Sequence, residues 1–373
     1  MTKTVTEASH REPFIRLARR DAVPFWKKMA VRVLAVLLAL VVAALFLYFV
    51  TGLNPIEVYK TMFKGSFGSK RKIFTTLRDM STLLCVGIAL APAFKMRFWN
   101  IGGEGQILMG ALASAICMIY FGNRVPAWQL YTAMAFFSIF AGALWAFFPA
   151  FCKSKWNTNE TLFTLMMNYV AIQIVACFTN IMRGQNSSMG QINQTTHAGW
   201  FPKIFGYTFT INIIVVAVLM LLMFLYLRYS KHGYEISVVG ESENTARYAG
   251  INVRKVMIRT MLISGAICGI CGFLIVAGRD YAISTTTAGG TGFTAIIVAW
   301  LAKFNTFYMA LISFILTFLG NGAEQIASDF KLNEFASDIV TGIILFFILG
   351  SEFFINYKII FRGKQHGAKE VRS

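Results

Sequence analysis

Charge is what this sequence has least of. Of its 373 residues only 14% are Asp, Glu, Lys or Arg, against about 25% in a soluble domain. Acid is the scarcer sign, 17 residues against 35 bases. The four histidines are scattered through tails and loops and suggest no metal site. No G-x-x-x-x-G-K-[ST] occurs, so the chain carries no phosphate-binding loop of its own, and Gly65–Arg71 lacks that pattern. H-E-x-x-H and G-x-S-x-G are missing too. These absences exclude a self-contained ATP-driven pump and leave no candidate catalytic residue, no metal ligand and no cofactor.

What fills the chain instead is hydrocarbon, 56% of residues with 35 Phe. The apolar residues come in uninterrupted blocks such as Val33–Val50 and Ile211–Leu227, and blocks of that length read as helices crossing a bilayer. The sequence predicts an all-α, polytopic transmembrane bundle of about ten spans near 30–50, 77–94, 104–121, 130–151, 160–182, 209–227, 260–278, 291–302, 307–326 and 336–356. The first block exceeds a signal-peptide core and has no small-x-small site after it, so it reads as a retained anchor. Cys85, Cys117, Cys177, Cys268 and Cys271 lie in apolar blocks. The Cys268-x-x-Cys271 pair sits among Gly265, Gly269 and Gly272, so it reads as small residues at a helix contact.

The net charge of +18 is a matter of orientation, not of nucleic acid. With the N-terminus inside, 24 of the 35 Lys and Arg fall on the inner side, which the positive-inside rule requires. The predicted organisation is a basic cytoplasmic tail over residues 1–28, a membrane domain over 29–357 and a cytoplasmic tail over 358–373. The largest inner loop, 228–259, holds a helix-like stretch, Glu243–Tyr248, stopped by Gly250. Residues 51–76 and 183–208 read as outer loops. Lys64, Lys70, Arg71 and Lys72 fall outside and oppose the rule.

Three features stand out inside the membrane region. Ile101-Gly-Gly-Glu-Gly-Gln106 follows the second span and Ala288-Gly-Gly-Thr-Gly-Phe293 the seventh. Five spans separate them, as an inverted repeat requires, and glycine-interrupted segments at matching points of two halves mark a transporter's binding site. Valine at Gly103 or Gly290 is therefore expected to harm transport more than valine at a mid-helix glycine such as Gly142. Secondly, Glu160, Thr164 and Asn168 recur every four residues on one helix face, either lining a pathway or bonding a neighbouring helix. Thirdly, Phe98 and Trp99 are either stacking surfaces or interfacial anchors. Glu104, Glu160, Glu324, Asp338 and Glu352 all fall near predicted span ends, which disfavours the alternative reading, an ion-coupled secondary transporter with deep carboxylates.

Taken in order, Phe67-Gly-Ser with Thr76-Leu77, Trp99-Asn-Ile-Gly-Gly-Glu-Gly-Gln106, Asn159-Glu160, Thr164-Leu-Met-Met-Asn-Tyr169, Val239-Gly-Glu-Ser-Glu-Asn-Thr-Ala-Arg-Tyr-Ala-Gly-Ile251 and Gly289-Gly-Thr-Gly-Phe293 resemble the permeases of binding-protein-dependent ABC importers. That family serves ribose-type sugars, branched-chain amino acids and nucleosides, and the nucleoside type is the most similar. The resemblance covers about residues 54 to 350. It implies a plasma-membrane permease with both termini cytoplasmic, moving a small polar solute inward. It also implies cytoplasmic ATP-binding subunits, a second permease copy or paralogue, and an extracytoplasmic substrate-binding protein. The substrate pathway would involve Trp99, Asn100, Gly102, Gly103, Glu104, Gln106, Glu160, Thr164, Asn168, Gly290, Gly292 and Phe293. Coupling to the ATPase would fall to Gly240, Ala246, Arg247, Tyr248 and Gly250. The chain departs from the family pattern in having no proline near Ser81–Leu83 or near Asn305, and in carrying Trp99 where phenylalanine is usual.

Overall fold

The computed structural model describes residues 15–20, 24–52, 54–184, 189–204, 206–207, 209–331 and 334–361. They form two compact units, one of residues 1–63 with 323–373 and one of residues 64–322.

In the first unit, α1 (Phe25–Thr51) packs along the helix that ends the fold, Glu334–Asn356. The reason is legible on α1. Ala35, Ala39, Ala43 and Leu47 recur every four residues and are buried, while Leu34, Leu37, Leu38, Val41 and Leu45 on the remaining surface are exposed. In lipid there is no hydrophobic gain from joining two helices, so a stripe of small side chains that allows close approach decides the contact. After α1 the expected outer loop is instead largely helical, with α2 over Pro55–Phe67. Asn54 Oδ1 accepts the Ile56 N–H at 3.0 Å, with Pro55 and Glu57 in the first turn, a complete helix-start signal. Residues 1–28 read as a basic tail. Within it, β1 (Ile15–Arg19) pairs antiparallel with β2 (Tyr357–Phe361), Ile15 opposite Phe361. The partner lies at the other end of the chain, beyond the reach of any local pattern.

The second unit holds α3 (Lys70–Lys95), α4 (Gly103–Phe121), α5 (Ala127–Trp156), α6 (Glu160–Arg183), α7 (Thr210–Tyr229), α8 (Lys231–Glu241), α9 (Glu243–Tyr248), α10 (Val253–Ile275), α11 (Thr291–Leu301) and most of α12 (Thr306–Asp329). With Glu334–Asn356 as α13, this is the polytopic helical architecture expected. Eight helices among the described residues are long and apolar enough to cross a bilayer. The expected spans at 291–302 and 336–356 are not among the eight. The 11 residues of α11 rise about 16 Å, roughly half of a hydrocarbon core.

α3, α4 and α10 form the centre, with 61–78% of each span buried, whereas α5, α6 and α7 keep broad apolar faces outward at 22–28%. Glycine makes that centre possible. A Cβ at Gly142 would overlap the Gly265 carbonyl oxygen, one at Gly269 the Ser138 carbonyl, and one at Gly272 the Ile107 carbonyl. The backbones of α4, α5 and α10 therefore touch, and the Ser138 hydroxyl donates to the Gly110 carbonyl at 2.8 Å. Cys268 and Cys271 are buried as well, Cys271 with its Sγ 3.9 Å from the Thr82 carbonyl of α3. Gly142 is accordingly no neutral comparator: it is one of the tightest glycines in the bundle.

The ends of the helices sort as the charge count does. Lys95, Arg228 and Lys303, all counted inside, line one pocket, and α8 lies against the end of α3, where a Cβ at Gly240 would overlap the Lys95 carbonyl. At the other end, Asn193 Nδ2 donates to the Met118 carbonyl at 2.7 Å, the Phe201 N–H reaches the Ala277 carbonyl at 2.9 Å, and Arg78 lies over the Phe209 ring. Lys70 and Arg71 open α3 with no acid in its first turn, the end of a helix that disfavours positive charge; nothing in the structure explains them.

Forcing a side chain into the glycine contact is expected to cost roughly 1–3 kcal/mol or more. Gly269→Val should lower the melting temperature of the detergent-solubilised chain sharply. Gly320→Ala, where nothing lies within 4 Å, should leave it unchanged. Equal effects of the two would count against backbone contact as the basis of the core.

Candidate functional site

The two glycine motifs, far apart in sequence, meet. α3 ends at Lys95, Arg97 takes a left-handed φ of 61°, and the chain turns back through 98–102 to open α4 at Gly103. Gly102 has no side chain to cap that helix, so its first N–H groups need acceptors from elsewhere. Asn168 on α6 provides one: Gly105 N–H donates to its Oδ1 at 2.8 Å, while its Nδ2 donates to the Ile101 carbonyl at 2.9 Å. One turn earlier, Thr164 Oγ1 accepts the Ile101 N–H at 3.2 Å. Asn100, fully buried, folds inward. Its Oδ1 accepts the Gly102 N–H at 3.0 Å and Gln106 Nε2 at 3.1 Å, and its Nδ2 donates to Ser264 Oγ on α10 at 3.2 Å.

The second break follows α10. That helix widens into a π turn, Val276–Asp280, a distortion frequent at functional sites. The Arg279 guanidinium holds the Asp280 carboxylate through bonds of 2.7 and 3.0 Å. Gly289 and Gly290 then take left-handed φ of 57° and 73°, and α11 begins. Its N-terminus is capped from across the bundle. Glu104 Oε1 accepts the Gly290 N–H at 2.7 Å and Oε2 accepts the Gly292 N–H at 2.8 Å. The approach is so close that a Cβ at Gly292 would lie 2.5 Å from the Glu104 nitrogen. Glu104, expected near a span end, occupies the first turn of α4 and is buried at the junction. α4 packs along α10 and α11 along α3.

Trp99, Asn100, Gly102, Gly103, Glu104, Gln106, Thr164, Asn168, Gly290 and Gly292 are thus brought to the two breaks. Thr164 and Asn168 hold a neighbouring backbone, the second of the two uses open to a polar stripe. Glu160 stands apart from them, in an ion pair with Lys153 at 2.9 Å across the α5–α6 turn. Beside the junction, Trp99 stacks on Trp300 at 5.2 Å between ring centroids, with Phe94 edge-on to both. Trp99, Trp300 and Phe293 are each 44% exposed. Sequence reasoning missed Ser264, Trp300 and the Arg279–Asp280 pair. Ser264 is a lone hydroxyl in an apolar run, and only contact with Asn100 gives it meaning.

On the face that carries α8, the predicted short helix is present as α9, Glu243–Tyr248. Ser242 Oγ accepts the Thr245 N–H at 3.3 Å, and Gly250 follows with φ 75°. Ala246 is fully buried and Tyr248 is 94% exposed, so the helix is fixed by one side and presents an aromatic ring on the other. Glu235 ties α8 to α10 through Arg259 at 2.8 Å, and that guanidinium holds the Glu235 carboxyl below its usual pKa.

The family described as "Branched-chain amino acid transport system / permease component" matches residues 72–349. The glucose ABC transporter permease protein of Haloferax volcanii is 27% identical over 92% of this chain and 93% of its own length. The guanosine ABC transporter permease protein of Bacillus subtilis is 29% identical over 87% and 93%. The nucleoside ABC transporter permease protein of Lactococcus lactis is 25% identical over 86% and 91%.

Asn168→Ala leaves the Gly105 N–H and the Ile101 carbonyl without partners, at about 1–3 kcal/mol for each buried group. The variant is expected to melt several degrees lower, with uptake falling in step. Lost uptake at unchanged melting temperature would return Asn168 to the pathway.

Proposed function

The chain belongs to the permease family of branched-chain amino acid transport systems, and from that premise we propose that it carries nucleosides inward as half of a paired transmembrane pathway. As an ABC-importer permease it is a multi-pass membrane protein whose transport is driven by a partner ATPase. Placing the basic face of Lys95, Arg228 and α8–α9 in the cytoplasm follows from the positive-inside rule, and puts the N-terminus there too. ATP-binding subunits then dock on α9, a substrate-binding protein delivers solute to the opposite face, and a second permease completes the conduit.

The observation that carries this reading is a continuous mechanical link. Tyr248 projects from α9, and the adjoining α8 touches the end of α3 through Gly240. Seven residues beyond Lys95 the chain reaches Gly102 and the Glu104 junction. A displacement of α8–α9 by a nucleotide-driven partner is passed to the place where both helices break, the kind of rigid-body shift that gates a pathway. The chemistry is gating, and the chain itself hydrolyses nothing.

Nucleosides are favoured over other solutes for two reasons. Two of the three relatives are named for guanosine and for nucleosides, against one for glucose that covers as much of the chain, and the half-exposed faces of Trp99, Trp300 and Phe293 suit the flat surface of a base. The ion-coupled alternative needs a carboxylate free to bind and release a cation. Glu104, the buried carboxylate among the described residues, is occupied by two backbone N–H groups.

Three outcomes are expected. With the partner subunits in proteoliposomes, ATP-dependent uptake of labelled guanosine should be competed by other nucleosides and not by glucose or leucine. Competition by glucose alone would make the solute a sugar. A cysteine at Ala249, which is exposed, should crosslink to the ATPase subunit, whereas Ala246 is buried and unsuitable. Tyr248→Ala should weaken docking by about 2 kcal/mol, the scale of an interface anchor. Free reaction of the Ala249→Cys thiol with bulky reagents in the intact complex would remove the docking role.

A further inference from the structure

A pocket of about 230 Å³ opens among the ends of α3, α7 and α11, lined by Lys95, Phe224, Leu227, Arg228, Lys303, Phe304, Asn305 and Thr306. Cations at helix C-termini are ordinary, since they complement the macrodipole, and basic residues on this face are ordinary for a membrane protein. Three further observations make this pocket different. Its three cations converge on one cavity, and no ion pair joins any of them to an acid among the described residues. Thr306, 2% exposed, lines the same wall and carries a buried hydroxyl without any hydrogen-bond partner. Lys303 and Phe304 both hold left-handed backbone, φ 48° and 62°, a conformation costly for side-chain-bearing residues and concentrated where ligands are clamped.

The walls are as informative as the charge. Phe224, Leu227 and Phe304 are apolar, and Arg228 is held over the Phe224 ring with its guanidinium 5.7 Å from the centroid. A small inorganic anion would use the three cations and leave those walls wet. A ligand with an anionic head and a hydrocarbon tail uses both. Basic pockets between membrane helices take acidic phospholipid headgroups in this way.

We propose that this pocket binds the phosphate group of an acidic phospholipid. Lys95, Arg228 and Lys303 neutralise the phosphate, the Thr306 hydroxyl donates to one of its oxygens, and Phe224, Leu227 and Phe304 receive the start of an acyl chain. The lipid thereby joins the end of α3 that leads into the Glu104 junction to the strained turn between α11 and α12. The inference does not depend on which solute is carried.

The test is native mass spectrometry of the full-length chain, delipidated in detergent and titrated with phosphatidylglycerol or phosphatidylcholine. Phosphatidylglycerol should be retained in preference. Its affinity should fall about fivefold for each cation removed in Lys95→Gln and Lys303→Gln. The double variant Lys95→Arg with Lys303→Arg should retain the lipid, which separates lost charge from lost folding. Lys255→Gln, an exposed cation outside the pocket, should also retain it. Undiminished retention in the double Gln variant would overturn the proposal, as would an equal loss in Lys255→Gln. Displacement of bound phosphatidylglycerol by inorganic phosphate at comparable concentration would also overturn it, assigning the pocket to a soluble anion.

Discussion

The carboxylate of Glu104 is the hinge pin on which the interior of the bundle depends. Backbone N–H groups at the start of a helix have no partners within the helix, and inside a bilayer no water supplies them. Two helices that begin in the middle of the fold would each leave such groups exposed. Glu104, in the first turn of α4, satisfies Gly290 and Gly292 at the start of α11 with one oxygen each. Asn168 in turn satisfies Gly105 at the start of α4. One break is thus capped by the other and the other by α6, and α11, too short to cross a bilayer, can begin inside the bundle without leaving its N-terminus open.

That arrangement places conditions on its neighbours. The carboxylate reaches two N–H groups only because Gly292 has no Cβ and because Gly289 and Gly290 turn with positive φ. α4 reaches this depth only because Gly110, Gly142, Gly265, Gly269 and Gly272 let its backbone and those of α5 and α10 come into contact. The centre is therefore closely packed and polar at one point. The outer helices α5, α6 and α7 are apolar where they face away, which suits lipid and a second permease subunit.

Much of this was legible in the sequence, and the part that was not has a common cause. Long apolar blocks announced the spanning helices, Gly250 marked the stop of α9, and the paired glycine motifs marked the breaks. Residues 51–76 read as an outer loop although Asn54, Pro55 and Glu57 spell the start of α2. The length of α11 was legible, 291–302 against Thr291–Leu301, but its apolar character made so short a segment read as a span. Nothing local says that Glu104 faces Gly290, 186 residues later, or that Asn100 meets Ser264. Those are tertiary pairings between residues whose own neighbourhoods are unremarkable. The polar stripe on α6 was visible, but its use was not: an amide and a hydroxyl on a membrane helix look the same whether they face a solute or a backbone.

The central claim is that Glu104 holds the two breaks together, and its own substitution tests that most directly. Thermal stability and ATP-dependent uptake should be measured on the same preparations of Glu104→Ala and Glu104→Gln. The account predicts that Glu104→Ala, with two buried N–H groups unpaired at about 1–3 kcal/mol each, loses both stability and transport. Glu104→Gln, which keeps one carbonyl acceptor, should lose less of each. A Glu104→Ala permease that melts and transports as the wild type does would contradict the account.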